Sequence, residues 1–341
     1  MKADSTVSII ACHAEGEVGD VIIGGIADMP ASTMHEKLLK FTEKYDGLRK
    51  ILHNEPRGRL EMSTMIITAP CDPRADAGFL IMSADDWVPM SGSNTICTAT
   101  VLLEKGILPI TGPTTVLKLD TAAGLITVTA ECRNGSCKSV SFDNVPAFVY
   151  ALDHEIEVPG VGKVLVDIAY GGQWYAVVRA ADLGVMLDTS LGSSLIALGI
   201  AVKKAVLDSC MPEHPENPLI RGINNVIITN PLLTEVDAHG SSNISVKHAV
   251  IVTPGRLDRS PCGTGSSSRL AIMHARKQVR VGQSVTFSSI IDSQFVGTVK
   301  ATTKVGSLDA IVPTTKGRAW ITGTKQLYLD PDDPYPEGYR L

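Results

Sequence analysis

At 341 residues, 44% hydrophobic and 20% charged, the chain can bury a substantial core and divide in two, because domains most often hold about 100–150 residues. A net charge of −5 without any Lys/Arg-rich tract argues against nucleic acid and anionic membrane as principal partners, since both need a basic footprint. No run reads as the roughly 18 apolar residues of a membrane span, so a cytoplasmic protein acting on a small molecule is expected.

In chain order, Val7, Ile9 and Ile10 form a short apolar run. Met34, Leu38, Phe41, Tyr45, Leu48 and Leu52 then recur at spacings of four and three, and Thr33 with Glu36 makes a capping-box pattern, which predicts an amphipathic helix. Residues 62–68 read as a strand. The segment Met90-Ser91-Gly92-Ser93-Asn94-Thr95 opens a second helix with Ile96, Ala99, Thr100 and Leu103 on one face; Lys105 falls in its last turn, Gly106 at C′, and Pro109 prevents continuation. Residues 115–119 and 125–130 read as strands, and Asn134-Gly135 between Cys132 and Cys137 as a hairpin turn. The seven cysteines are scattered, with no C-x-x-C, and most read as reduced packing residues. Further strands are predicted at 164–169, 225–229 and 244–252. Ser260-Pro261-Cys262-Gly263-Thr264-Gly265-Ser266 then opens a helix carrying Leu270 and Met273 and ending near Arg276 and Lys277. The layout suggests one strand-rich sheet wrapped around one helix, made twice, with a boundary in 131–144.

The two helix openings carry the chemistry. Helix N-termini present unpaired N–H groups and the positive end of a dipole, so they attract carboxylates and lower the pKa of a nearby thiol. Cys262 is therefore the candidate reactive thiol. The glycines after it let a ligand approach the backbone, and Asp258 is placed to hold a ligand ammonium. On spacing alone, a turn beside a buried thiol explains the segment equally well, and Ser91-Gly92-Ser93 reads as a structural cap. A phosphate loop is disfavoured because no Lys follows the glycines. His13, His53 and His214 read as structural, and no metal-ligand spacing occurs. Glu55-Pro56-Arg57-Gly58 reads as a turn with a surface charge pair, and residues 330–337 as a solvated tail.

Six segments in order, His13-Ala14-Glu15-Gly16-Glu17, Glu55-Pro56-Arg57-Gly58, Ser91-Gly92-Ser93-Asn94-Thr95-Ile96, Asp167-Ile168-Ala169-Tyr170-Gly171-Gly172, Asp258-Arg259-Ser260-Pro261-Cys262-Gly263-Thr264-Gly265 and Asp332-Asp333-Pro334-Tyr335, together resemble the proline racemase superfamily. The resemblance implies an α/β (α+β), diaminopimelate-epimerase-like fold of two similar halves, each a strand-rich sheet around a central helix. Residues 1–138 with a C-terminal tail from about 322 to 341 would form one half, and 139–321 the other, with a ligand in the cleft between them, no cofactor and no metal. It also implies catalytic roles for Ser91 and Cys262. Carboxylate binding would fall to the backbone of Gly92, Ser93, Gly263 and Thr264, and ring-ammonium binding to Asp258.

Racemases of this kind carry a cysteine at both positions, and a histidine commonly follows the first glycine. Ser91 and Ser93 depart from that pattern. Members with Ser or Thr opposite Cys include dehydratases of trans-3-hydroxy-L-proline, so the expected activity is formation of 1-pyrroline-2-carboxylate in hydroxyproline degradation. The alternatives are a 4-hydroxyproline 2-epimerase or weak proline racemase, and a non-catalytic binder of proline-like ligands. A homodimer is a further expectation.

Overall fold

Each segment that begins with a small, polar run becomes the central helix of its own unit. The computed structural model describes residues 6–236, 242–328, 330 and 332–341, and the chain divides into Met1–Phe142 with Gly317–Leu341, and Asp143–Lys316. The first unit contains β1 (Val7–Ala14), β2 (Glu17–Gly24), α1 (Met34–His53), β3 (Ser63–Thr68), β4 (Ala77–Met82), β5 (Trp87–Val88), α2 (Gly92–Glu104), β6 (Thr114–Thr121), β7 (Gly124–Arg133) and β8 (Ser136–Asp143). The second contains β9 (Ala147–Val158), β10 (Gly162–Tyr170), β11 (Trp174–Arg179), α3 (Gly192–Ser209), β12 (Glu213–His214), β13 (Asn217–Arg221), β14 (Asn225–Thr229), β15 (Leu233–Val236), β16 (Ser242–Val252), β17 (Arg256–Leu257), α4 (Gly263–Ala275), β18 (Ser284–Ser288), β19 (Gln294–Val305) and β20 (Leu308–Gly317). The chain then returns to the first unit as β21 (Ala319–Leu327).

In the first unit the strand order is β21, β1, β2, β3, β4, β6, β7, β8, with β2–β3 and β4–β6 parallel and the other neighbours antiparallel. This sheet wraps α2, which touches β1, β2, β3, β7 and β21. Every residue from Gly92 to Leu103 is buried, so α2 has no solvent face, although its sequence suggested a single packed one. Gly19 makes the close fit possible: a Cβ there would stand 2.8 Å from Asn94 Oδ1. Asn134 and Gly135 both take positive φ, 54° and 71°, as a type I′ hairpin requires, and Cys132 pairs directly opposite Cys137.

α1 covers β3, β4 and β6 with Met34, Leu38, Phe41, Leu48 and Leu52 in the core. Its N-cap works as the sequence suggests at one end, where the Glu36 N–H donates to Thr33 Oγ1 at 3.1 Å. The Glu36 carboxylate instead accepts from the N–H of Ser32, at 2.9 Å.

The described residues of the 330–337 tail are mostly exposed, as expected, and polar contacts along the last residues also pin them to the end of α1. Glu55 and Tyr339 exchange backbone hydrogen bonds of 3.1 and 2.8 Å, and Arg57 pairs with Asp333 while donating to Tyr335 O at 3.0 Å. Lys50 reaches Glu337 at 2.9 Å and Arg340 donates to Asn54 Oδ1 at 2.8 Å. The Glu55-Pro56-Arg57-Gly58 turn is thus the seat of the C-terminus.

In the second unit the order β9, β10, β11, β14, β16, β18, β19, β20 returns to β9 through the pairs Ala310 with Phe148 and Ile311 with Ala147. The sheet therefore closes on itself around α4, which touches β9, β10, β11 and β19. β10 brackets the helix. Asp167 on β10 pairs with Arg276, just past the end of α4, at 2.7 Å. The Gly171-Gly172 turn after β10 meets the helix start, where a Cβ on Gly171 would stand 2.3 Å from Thr264 O and 2.4 Å from Ser268 N.

α3 had no counterpart among the predicted elements. Residues 189–209 are long and apolar enough, by length and composition, to cross a membrane, which corrects the reading that no segment approaches that limit; Lys203 and Lys204 interrupt the run and hide it from a count of consecutive apolar residues. The helix buries Leu195, Gly199, Val202 and Val206, one stripe at spacings of four and three, against β9, β11, β14 and β16. Lys203 Nζ donates to Asn224 O at 2.9 Å and Thr253 Oγ1 at 2.6 Å.

Gly171→Ala should lower stability by about 1–3 kcal/mol, because the added methyl meets fixed backbone atoms instead of a flexible side chain. Urea unfolding should show a lower midpoint at unchanged slope; an unchanged midpoint would mean the turn and helix do not pack this closely.

Candidate active site

Cys262 is the N-cap of α4 and sits at φ 63°, ψ 108°, a conformation that costs a residue with a Cβ about 1–3 kcal/mol and persists only where its surroundings enforce it. Those surroundings are hydrogen bonds on both sides of the residue. The Cys262 N–H donates to Ser260 Oγ at 3.1 Å. In turn the N–H and hydroxyl of Ser260 both donate to Asp258 Oδ1, each at 2.9 Å. After Cys262, the Ser266 N–H donates to its carbonyl at 2.8 Å. The preceding carbonyl, of Pro261, accepts from Ser266 Oγ at 3.0 Å and from His248 Nε2 at 2.7 Å.

His248, on β16, is wholly buried and stacks on Phe287. Burial holds its pKa down to about 4, against the smaller raising effect of the Pro261 hydrogen bond, so the ring is neutral at pH 7. Its bond to a carbonyl requires the proton on Nε2, leaving Nδ1 as the bare nitrogen.

Cys262 is buried, 9% exposed as a residue. Tyr175, from β11, brings its hydroxyl to 3.2 Å from Sγ and 2.6 Å from Thr264 Oγ1; the thiol and Thr264 hydroxyl are 3.7 Å apart. The thiol is pushed up to about 12, first by burial and then by the Asp258 charge, while hydrogen bonds from Tyr175, the Gly265 backbone and Thr264 act in the opposite direction. The helix N-terminus leads one to expect an acidified thiol; burial and the Asp258 charge push this one the other way. Gly265 leaves room for the sulfur, since a Cβ there would lie 3.3 Å from Sγ and from Tyr175 Cε1.

The second unit thus brings Asp258, Cys262, Gly263 and Thr264 together at one helix start, and adds three neighbours that the sequence reading did not single out: Ser260, His248 and Tyr175. Ser260 was quoted only as part of a motif. Tyr175 lies 87 positions from Cys262, and no local pattern connects them. Asp258 has a role beyond the expected one, because its carboxylate organises the Ser260 turn that holds the Cys262 backbone.

Ser91, Gly92 and Ser93 stand together at the start of α2 in the first unit. Ser91 is the N-cap in relaxed extended backbone, φ −152° and ψ 133°, and its hydroxyl makes no capping bond. Its carbonyl instead accepts from the N–H and the hydroxyl of Thr95, at 3.0 and 2.8 Å. The cap reading is therefore corrected for the side chain, and the two helix starts differ: one is strained and carries a buried thiol, the other relaxed with a hydroxyl uncommitted to the helix.

The three singled-out histidines have structural surroundings. His53 is buried with Nδ1 2.8 Å from Arg49 O, His13 stacks on Trp320, and His214 meets the edges of Phe148 and Tyr170. Among the described residues no group of three His, Cys, Asp or Glu side chains is arranged to hold a metal ion.

The chain matches the Proline racemase family over residues 9–340. It is similar to a hydroxyproline epimerase from Agrobacterium vitis, solved with bound trans-4-hydroxy-L-proline, at 37% identity and a TM-score of 0.86, covering 100% of this chain and 97% of that one. A probable proline racemase from Agrobacterium radiobacter K84, solved with bound carbonate, is 39% identical with a TM-score of 0.85, covering 98% and 96%. The fold extends to a phenazine biosynthesis protein of the PhzF family from Bacillus anthracis, 14% identical, with a TM-score of 0.58 and coverage of 96% and 99%. The α+β architecture is that of the diaminopimelate-epimerase-like proteins, and by its match along nearly its whole length the chain belongs to the proline racemase family.

Proposed function

We propose that the protein is a trans-3-hydroxy-L-proline dehydratase in which Cys262 removes the α-proton and the 3-hydroxyl leaves as water. One observation carries this reading: a thiol precedes α4, and a serine hydroxyl stands in the corresponding place before α2. Inversion at an α-carbon needs a proton donor on the face opposite the base. A thiol, with a pKa of about 8.5 in water, can serve; a serine hydroxyl is a far weaker acid. Elimination needs no donor on that face.

In this reading Asp258 binds the ring ammonium. After burial, the Asp258 charge is the second cause that keeps the Cys262 thiol protonated; the bound cation offsets that charge, so substrate binding favours the thiolate. The thiolate takes the α-hydrogen, forming S–H as the Cα–H bond breaks. Backbone N–H groups of Gly263 and Thr264 hold the carboxylate onto which charge spreads.

The carbanion's electron pair becomes the Cα–C3 double bond as the C3–O bond breaks. In the trans substrate the 3-hydroxyl lies on the same side of the ring as the α-hydrogen, so the proton gained by Cys262 is delivered to the departing oxygen in a syn elimination. The enamine then tautomerises, the nitrogen losing a proton and C3 gaining one from water, to 1-pyrroline-2-carboxylate. As written, the reaction needs no cofactor. The second reading is a 4-hydroxyproline 2-epimerase, favoured by the similarity to the Agrobacterium vitis epimerase with its bound trans-4-hydroxy-L-proline.

Incubation with trans-3-hydroxy-L-proline should yield pyrroline, and Cys262→Ser should abolish nearly all turnover while substrate affinity stays within about tenfold, since the thiolate acts in proton transfer more than in ground-state binding. Retained turnover in the purified variant would remove Cys262 as the base. Rapid epimerisation of trans-4-hydroxy-L-proline without pyrroline formation from the 3-hydroxy isomer would select the second reading.

For the free enzyme, kcat/KM should climb with pH from 7 to 9.5 by up to about tenfold per unit, because a thiol whose pKa is raised to about 12 supplies more thiolate at each step. A profile flat across that range would show that Cys262 does not ionise in the rate-determining sequence.

Ser91→Cys tests the asymmetry itself. With L-proline, which has no leaving group, the wild type in D₂O should exchange the α-hydrogen slowly with retention, and the variant should add measurable racemisation. Chiral chromatography with α-deuterium content checks both; rapid racemisation by the wild type would overturn the argument from Ser91.

A further inference from the structure

We propose that Tyr175 is a positioning residue for Cys262, its hydroxyl bridging the thiol sulfur and the Thr264 hydroxyl so that a short hydrogen-bond chain reverses direction when the sulfur changes protonation state. The proposal deepens, and rests on, the reading of Cys262 as the base. Its geometry is a triangle within the second unit, with sides of 3.2, 2.6 and 3.7 Å. Tyr175 is fully buried on a core strand, where a phenol must find internal partners.

With the sulfur protonated, S–H donates to the phenol oxygen and the phenol O–H donates to Thr264 Oγ1. When the sulfur is a thiolate, the phenol O–H turns to donate to it and the Thr264 hydroxyl donates to the phenol oxygen. Each oxygen keeps one proton throughout, so no charge moves onto the ring. Burial, with the sulfur's own charge as the next cause, keeps the phenol protonated by raising its pKa. A donor already aimed at the sulfur stabilises the anion by a charge-assisted bond without reorganisation.

The groups acting on this sulfur come from each neighbouring element. Asp258, on its own loop, disfavours the thiolate; the Gly265 N–H and Thr264 hydroxyl, from α4, favour it, as does Tyr175 from β11. The His248 ring on β16 is spent on the Pro261 carbonyl, and Arg269, on α4, acts on His248. On β14 the Asn225 amide adjoins the phenol and donates to Gln173 Oε1 at 2.6 Å. Tyr175 is thus the contribution of the sheet to an ionisation otherwise set by the thiol's own loop and helix.

The test is the rate of Cys262 carbamidomethylation by iodoacetamide, followed by mass spectrometry at fixed pH values from 7.5 to 9.5 on the whole chain without substrate. Tyr175→Phe should slow alkylation about tenfold, as one unit in the thiol's pKa requires, and lower kcat for the preferred substrate by tenfold or more with KM within threefold. A role in packing alone predicts the opposite sign, since removing the hydroxyl opens space beside the sulfur. Thr264→Val should slow alkylation by a smaller factor, and 3-fluorotyrosine at position 175, a stronger donor, should speed it.

Tyr175→Phe with an unchanged melting temperature and an unchanged or faster alkylation rate overturns the proposal. If that variant fails to fold, wild-type rates in both Thr264→Val and the fluorotyrosine protein overturn it equally. Because alkylation is read without substrate, the expected rates together with no turnover of any hydroxyproline would sink the dehydratase reading and leave the role of Tyr175 standing.

Discussion

A helix that starts with Gly-Thr-Gly-Ser-Ser-Ser and lies inside a closed sheet must satisfy its hydroxyls internally, and the second unit is organised by that requirement. A buried polar group left unmatched costs about 1–3 kcal/mol, and here the hydroxyls of Thr264, Ser266, Ser267 and Ser268 are each matched. Ser266 donates to Pro261 O at 3.0 Å, Ser267 to Gly263 O at 2.8 Å and Ser268 to Gly265 O at 2.8 Å. Thr264 turns to Tyr175. The small residues that create the requirement also permit the close approach, since the Gly171 turn fits against the backbone of Thr264 and Ser268 only without a Cβ.

The position of Cys262 follows from this packing. Its left-handed backbone is held by hydrogen bonds to Ser260 and Ser266, and the carbonyl before it is clamped by His248 and Ser266. Burial then sets the chemistry. A helix N-terminus alone would acidify the thiol, yet desolvation and the Asp258 carboxylate raise it to about 12. Burial and the Asp258 charge thus both favour the protonated thiol, and a cation bound by Asp258 would remove the second of these causes. Ser91 stands under no comparable constraint: its backbone is extended and relaxed, and its hydroxyl caps nothing.

Where local chemistry decides structure, the residues were readable. The α1 cap at Thr33, the Asn134-Gly135 hairpin and the strand at Asn225–Thr229 follow from side-chain and backbone preferences within a few positions. Residues whose partners lie far along the chain were less readable. The Asp- and Pro-rich segment near residue 335 is exposed as its composition suggests, but its anchoring was hidden, because the cationic partners of Asp333 and Glu337 lie on the segment that ends α1. α3 escaped notice because its buried stripe is narrow and two lysines break the apolar run, although Lys203 reaches back to Asn224 and Thr253.

By itself the sequence determined the family, the two helix starts and the pairing of a serine with a cysteine at them, because ordered motifs and helix-capping chemistry are written in short spans. Tertiary structure alone decided the protonation state of Cys262 and its partners. Burial is a property of the closed sheet, and only that closure brings Tyr175 and His248, from β11 and β16, against a loop to which no local pattern ties them.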